Sequence, residues 1–204
     1  DPARVLLAYY TGIFPWYSEG EPVLWWSPDP RMILVPDELK ISRSLKKRLR
    51  RKDYRVTMDQ AFGEVIRHCR STERPEQSGT WITDEMIQCY EKLHAMGFAH
   101  SVETWKEEEL VGGLYGVSIG RFFAGESMFS HQSDASKFAL VYLARQLAAW
   151  NFPLIDCQMH TDHLERFGAK TIPRDAFLNT LAEAVETLNG MKAWQIDPEL
   201  QLLP

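Results

Sequence analysis

Cysteine is scarce in this chain, at three in 204 residues. Cys69, Cys89 and Cys157 are odd in number and lack the paired spacings of a disulfide framework or a zinc site, so they read as reduced thiols in a cytosolic protein. Long apolar runs are missing as well. None approaches the roughly 20 residues of a membrane-spanning helix, and Asp1-Pro2-Ala3-Arg4 does not read as a signal peptide. The first residue is not Met, which points to a natural chain that begins earlier. There is no excess of positive charge: 23 Lys and Arg against 28 Asp and Glu give a net charge of −5. That balance excludes a protein that coats nucleic acid through bulk charge, although a local basic patch stays open. Internal repeats and low-complexity linkers are absent too. What remains is 45% hydrophobic and 12% aromatic, enough to bury one real core with a small lobe beside it. Small size and negative charge fit a monomer.

The pattern along the chain predicts an α+β fold. Ala3 to Tyr10 reads as a helix ended by Gly12, and short extended pieces follow around Leu24–Trp26 and Met32–Leu34, punctuated by Pro22, Pro28 and Pro30. Ser42 caps a basic helix to about Arg51, Val56–Met58 is a short strand, and Asp59–Cys69 is helical. Arg70 to Ser78 reads as a loop. Thr83 caps a helix ending near Gly97, with Leu93 and Met96 on its apolar side. His100–Trp105, Glu109–Val117 and Arg121–Ser127 then form an antiparallel meander with turns at Lys106–Glu108 and Gly120. A helix over Ala135–Trp150, a strand over Leu154–Gln158, a short helix over Asp162–Phe167 closed by Gly168, and a last helix over Arg174–Asn189 complete the order. This is a mixed, mainly antiparallel sheet with flanking helices, the order of the N-acetyltransferase-like fold. A small N-terminal lobe with the basic helix is expected over 1–54 and an acyltransferase-like catalytic domain over 55–204.

Several polar residues interrupt apolar sequence. Asp156 and Gln158, two apart on the strand, leave the same face. An unpaired buried carboxylate is costly, so the pair needs a reason, and orienting an amine while accepting its proton is one. Glu126 stands in a second such insert, Gly125-Glu-Ser-Met-Phe-Ser130. Trp16, Tyr17, Trp25, Trp26 and Trp81 either stack on unpaired bases, as at a tRNA end, or wedge an N-terminal lobe against the main domain. Arg43, Lys46, Lys47, Arg48, Arg50, Arg51, Lys52 and Arg55 cannot all share one helix face. They are part ordinary solvation and part a candidate phosphate-contacting surface. Coenzyme A enzymes of this fold cradle pyrophosphate on a Gly-rich loop. The equivalent Ser130–Lys137 stretch has no glycine, which argues for another activated acyl donor. Leu140, Leu143 and Leu147 share one helix face that Met128 and Ile155 approach across the sheet, forming either core or an apolar pocket. His131, His160 and His163 bracket the region, but no carboxylate completes a metal motif, and neither metal nor cofactor is expected.

These segments, in order over nearly the whole chain, resemble the bacterial leucyl/phenylalanyl-tRNA–protein transferases. The resemblance is carried by Gly12-Ile-Phe-Pro-Trp-Tyr-Ser18, Leu24-Trp-Trp-Ser-Pro-Asp-Pro-Arg31, Ile41-Ser-Arg-Ser44, Tyr54-Arg-Val-Thr-Met58 and Gly79-Thr-Trp-Ile-Thr83, and further along by Leu110-Val-Gly-Gly113, Gly125 to Ser130, Ala135-Ser-Lys137 and Leu154-Ile-Asp-Cys-Gln158. A Gly-Gly-Asp-Leu-Ser-like segment usual in the family survives only as Asp1-Pro2, which implies a shortened N-terminus. The resemblance implies transfer of Leu or Phe from aminoacyl-tRNA to acceptor proteins with N-terminal Arg or Lys, marking them for N-degron degradation, with no metal and no coenzyme A. It implies that Asp156 and Gln158 are the catalytic pair, with Glu126 at the donor site. It places Trp16 and Trp81 around the terminal adenosine with Tyr9 and Tyr90 nearby, and assigns Met128, Leu140, Leu143, Leu147 and Ile155 to the donated side chain. The basic helix, through Arg43, Lys46, Lys47 and Arg50, would meet the tRNA. Relatives can carry aromatic residues at positions 143 and 147, and Leu there shapes the pocket differently. Thr161 is given no role.

In that chemistry Gln158 orients the acceptor amine, and Asp156 either takes its proton or serves as a structural orienter. Glu126 is the alternative base, or it binds the donor's amino group. Two other functions fit the same residues: a small-molecule N-acyltransferase with another acyl carrier, and a non-catalytic tRNA-binding module.

Overall fold

The protein is described here from a computed structural model covering residues 1–18, 20–72, 81–186 and 193–201. Nine strands are found among those residues. β1 (Phe14–Pro15) and β2 (Trp25–Trp26) pair as a small ribbon. The other seven form one sheet: β3 (Arg31–Leu34), β4 (Arg55–Met58), β5 (Ala99–Lys106), β6 (Glu109–Ile119), β7 (Phe122–Ser130), β8 (Leu154–Gln158) and β9 (Lys170–Ile172). Their spatial order is β4-β5-β6-β7-β8-β3-β9, antiparallel throughout except where β7 lies parallel to β8. The meander turns close on Glu107 and Gly120, both at positive φ. The crossover from β7 to β8 runs through α5 (Ala135–Ala149), as a parallel connection requires.

Helices cover both faces of the sheet. On one side α1 (Pro2–Tyr10), α3 (Phe62–Ser71), α4 (Asp84–Ala95) and α7 (Arg174–Glu186) bury Tyr9, Ile66, Tyr90 and Phe177 against Tyr115 and Phe122. On the other, α2 (Arg43–Leu49) and α5 bury Leu45, Leu49, Phe138 and Leu147 against Val102 and Phe123. Two short helices, α6 (Asp162–Glu165) and α8 (Pro198–Gln201), complete the described chain. The caps are those expected: Ser42 Oγ accepts from Leu45 N–H and Thr83 Oγ1 from Met86 N–H, each at 3.2 Å. No helix of the described residues is long and apolar enough to cross a membrane.

Several expectations are adjusted. Met96 is exposed, because it caps α4 beyond the last buried turn. The pairings of Phe14–Pro15 and Lys170–Ile172 carry no alternation in sequence and were not anticipated. Residues 31–34, placed by sequence in an N-terminal lobe, lie inside the main sheet between β8 and β9. The expected loop lies outside the described residues from 73 onward, and so does the end of the last helix, at 187–189.

Candidate active site

The sheet opens where its parallel pair separates. β7 and β8 are in register from Phe122/Leu154 to Ala124/Asp156, after which β7 continues to Ser130 and β8 ends at Gln158. Each strand carries one extra residue at this point. Opposite β7, Tyr115 pairs with Ser127 and Gly116 with Gly125, so Glu126 is the bulged residue. Opposite β8, Met32 pairs with Gln158 and Ile33 with Asp156, so Cys157 is bulged. Bulges re-aim side chains and end pairing. Here they frame a cavity of about 470 Å³. Gly116 permits the first bulge, since a Cβ there would lie 2.3 Å from the Ala124 carbonyl oxygen.

The cavity has three kinds of wall. Phe14, Pro15, Trp16 and Trp81 make an aromatic side, and Met128, Leu140, Leu143 and Ile155 an apolar side. Glu126, Asp156 and Gln158 lie at its floor, and His160, Thr161, His163 and Leu164 at its rim. The sequence thus brings together nine of its expected residues. Leu147 is not among the lining: it is fully buried in the core against Phe123 and Ala144, one helical turn below Leu143. Tyr9 and Tyr90 do not line it either. Both are fully buried behind Glu126, where the Tyr9 and Tyr90 hydroxyls lie 2.7 Å apart and Tyr90 donates to Glu126 Oε2 at 2.9 Å. Their place is support of the carboxylate. Arg43, Lys46 and Lys47 on α2 and Arg50 at its C-cap are exposed and do not line the cavity, while Arg48 pairs with Asp53 and covers the Tyr54 ring.

Asp156 has no exposed surface, and its partner is Arg31, a residue that sequence reasoning quoted within a motif but gave no role. Arg31 Nε donates to Asp156 Oδ1 at 2.8 Å and Nη2 to Oδ2 at 2.7 Å, a bidentate buried pair. Gln158 N–H adds a third donor to Oδ1 at 2.9 Å. Asp156 and Gln158 therefore do meet, but through the Gln158 backbone N–H and a turn in which Gln158 takes φ of +63°, because the bulge at Cys157 interrupts the alternation on which the same-face expectation rests. The Gln158 amide then reaches across the split: Nε2 donates to Glu126 Oε1 at 2.8 Å. Gln158 itself lines the cavity, and its amide has an oxygen that can accept and a second N–H that can donate.

Electrostatics single out Glu126. Burial raises its pKa from 4.5 to about 7, with the Asp156 charge adding and the bonds from Tyr9, Tyr90 and Gln158 opposing. It changes charge near neutrality. Burial pushes the Cys157 thiol up, with Asp156 adding, so no nucleophilic thiolate is available there. Burial also lowers the pKa of His163, and the charges of Lys137 and Arg166 add to the effect. At the rim His160, Asp162 and Glu165 bring their ligand atoms within 4.8 Å of one another, all exposed. At the head of α5, Ala135 N–H bonds to Gln132 O and Ser136 N–H to Ser130 Oγ. Two of the amides at the head of this helix are thus bonded from within the chain.

The site is thus an apolar pocket that leads to a half-buried amide and carboxylate on an α+β scaffold, and the family match places it in a transferase. The chain belongs to the leucyl/phenylalanyl-tRNA protein transferase family, whose model matches residues 33–182 and whose N-terminal domain matches residues 1–29. It is 54% identical over 199 residues to the leucyl/phenylalanyl-tRNA–protein transferase of Nitrosospira multiformis, covering 98% of this chain and 85% of that one. The transferase so named in Chromobacterium violaceum is 57% identical over 191 residues, with 94% and 82% covered. That of Stutzerimonas stutzeri is 59% identical over 181 residues, with 89% and 80% covered. Among solved structures, a GCN5-related N-acetyltransferase from Kribbella flavida gives a TM-score of 0.41 at 10% identity over 83% of this chain and 59% of that one.

Proposed function

We propose that the protein transfers Leu or Phe from aminoacyl-tRNA to the N-terminal Arg or Lys of acceptor proteins in the cytoplasm, as a monomer, marking them for degradation through the N-degron route. The observation that carries this reading is the convergence of an aromatic wall, an apolar pocket and the Glu126–Gln158–Asp156 floor on one split in the sheet. The terminal adenosine lies against Trp16 and Trp81, each ring worth about 1–3 kcal/mol of stacking. The donor side chain enters between Met128, Leu140, Leu143 and Ile155. An unbranched Cβ suits such a slot better than the β-branched Ile or Val.

The donor is already an activated ester, and the acceptor α-amine has an ordinary pKa of about 7.7–8.0, so much of the acceleration comes from alignment. Gln158 Oε1 accepts a hydrogen bond from the incoming amine. The nitrogen attacks the ester carbonyl, the C–N bond forms, the bond to the ribose oxygen breaks, and that oxygen leaves with a proton. Asp156, with its oxygens taken by Arg31 and Gln158, serves as the orienter of Gln158. Ionised Glu126 holds the Gln158 amide and attracts the donor's ammonium group. The exposed Arg43, Lys46 and Lys47 of α2, with Arg50 at its C-cap, meet the tRNA backbone.

The test is transfer of labelled Leu or Phe from the charged tRNA to peptides that differ only in an N-terminal Arg, Lys or Ala. Transfer to the first two and not the third is the expected result. Binding of tRNA with no transfer to any peptide would contradict it.

A further inference from the structure

Arg31 stands where three parts of the molecule meet beside the floor of the cavity. Its guanidinium holds Asp156 with two bonds of 2.7 and 2.8 Å, and its third nitrogen, Nη1, donates to the Gly12 carbonyl at 3.2 Å. The plane is gripped by two rings, with Phe14 centred 4.8 Å away and Phe177 of α7 4.5 Å away. The side chain is 1% exposed and does not line the cavity. Phe14 itself, with the Pro15 and Trp16 that follow, does line it. The same cation is therefore bonded to the floor through Asp156 and to the aromatic wall through Gly12 and Phe14. A planar five-donor fork can do this in a single geometry, whereas an ammonium, a point charge with three donors, cannot match the carboxylate bidentately while stacking between two rings.

We infer that Arg31 is a positioning residue of the transfer reaction: it fixes Asp156, and through it Gln158, at a set place relative to the aromatic wall on which the donor rests. The inference depends on the transferase reading of the cavity and adds to it the element that sets its alignment. Gln158 depends on Asp156 for its backbone bond and its left-handed turn. Asp156 in turn accepts from the buried Arg31 fork and from the half-buried Gln158 N–H. An error in the Arg31 fork thus reaches Gln158 through Asp156, whereas the Trp16 and Trp81 rings and the side-chain pocket are not among the groups that the fork contacts. A buried ion pair that merely stabilised the fold would show no such selectivity, and an apolar pair could often replace it.

The test is a double-mutant cycle read in single-turnover transfer. Arg31→Lys keeps the charge and loses the fork. It is expected to lower the transfer rate at saturating donor by about tenfold or more, with the KM for Leu-tRNA changed by less than about threefold. In a Gln158→Asn background the same substitution is expected to cost less than about twofold, because its effect passes through Gln158. Phe177→Leu is the second variant, for the case in which Arg31→Lys does not fold. It loosens one side of the guanidinium, leaves every charge and the whole cavity lining intact, and is expected to cost about three- to tenfold, again suppressed by Gln158→Asn. Equal losses in both backgrounds, or a loss confined to KM, would overturn the inference while leaving the function standing. A parent protein that binds Leu-tRNA and transfers nothing would overturn both.

Discussion

Glu126 is the residue through which pH acts on this site. Its carboxyl loses a proton near 4.5 in the unfolded chain and at about 7 in the folded one. Between those values the folded state binds more protons, so the stability it contributes is fully present below 4.5 and is lost as pH rises to about 7. Urea melts are expected to show a fall on the order of 1–3 kcal/mol from pH 5 to pH 8 attributable to this group, absent in Glu126→Gln. The activity has the opposite sign, since ionised Glu126 is the working form. Transfer by the parent rises through pH 7. Glu126→Gln keeps only the later limb of the acceptor amine, so a rate–pH profile of the two separates them. Asp156 behaves differently, because its role is fixed by a buried pair. Asp156→Ala strands Arg31 and is expected to cost about 3–5 kcal/mol in the same melts.

At the scale of elements, the two bulges and the inner face of α5 decide the cavity. Gly116→Ala drives a methyl against the Ala124 carbonyl and the Phe123 ring, and is expected to cost about 1–3 kcal/mol and to displace Glu126. Activity would fall more than stability alone explains. On α5, Leu143 and Leu147 differ in kind although they share a face. Leu143→Phe narrows the pocket and is expected to shift donor preference from Phe toward Leu. Leu147→Ala leaves preference unchanged and destabilises by about 2–5 kcal/mol, a contrast that competition between the two charged tRNAs measures. These elements also show how much was legible beforehand. Apart from β1 and β9, the strands and the main helices followed from alternation and from the caps at Ser42 and Thr83, and the β8 bounds were read to the residue. The bulges at Glu126 and Cys157 were not, because one extra residue in a strand leaves no periodic mark. Arg31 went unassigned for a related reason: its partner lies 125 positions away. Tyr9 and Tyr90 were placed in the right neighbourhood, but whether a ring faces a cavity or backs a carboxylate depends on packing that spacing does not encode.

For the whole molecule the net charge of −5 confines tRNA attraction to local patches, of which α2 is the one concentrated in sequence. Lys46→Gln together with Lys47→Gln is expected to raise the KM for charged tRNA and to reduce its logarithmic salt slope by about 1.4–1.8. A minimal aminoacyl-adenosine donor, which ends inside the cavity, should be unaffected, and titrating KM against salt for both donors checks this. The central claim concerns the floor of the cavity, where Gln158, bonded to Asp156 through its backbone N–H and to Glu126 through its side-chain amide, aligns the attacking amine. The measurement that tests it most directly is single-turnover transfer from Phe-tRNA to an Arg-initiated peptide by the parent and by Gln158→Ala, with bound donor measured in the same samples. The account predicts that Gln158→Ala binds Phe-tRNA as the parent does and transfers about 100-fold more slowly or worse. Transfer at the parent rate by Gln158→Ala would contradict it.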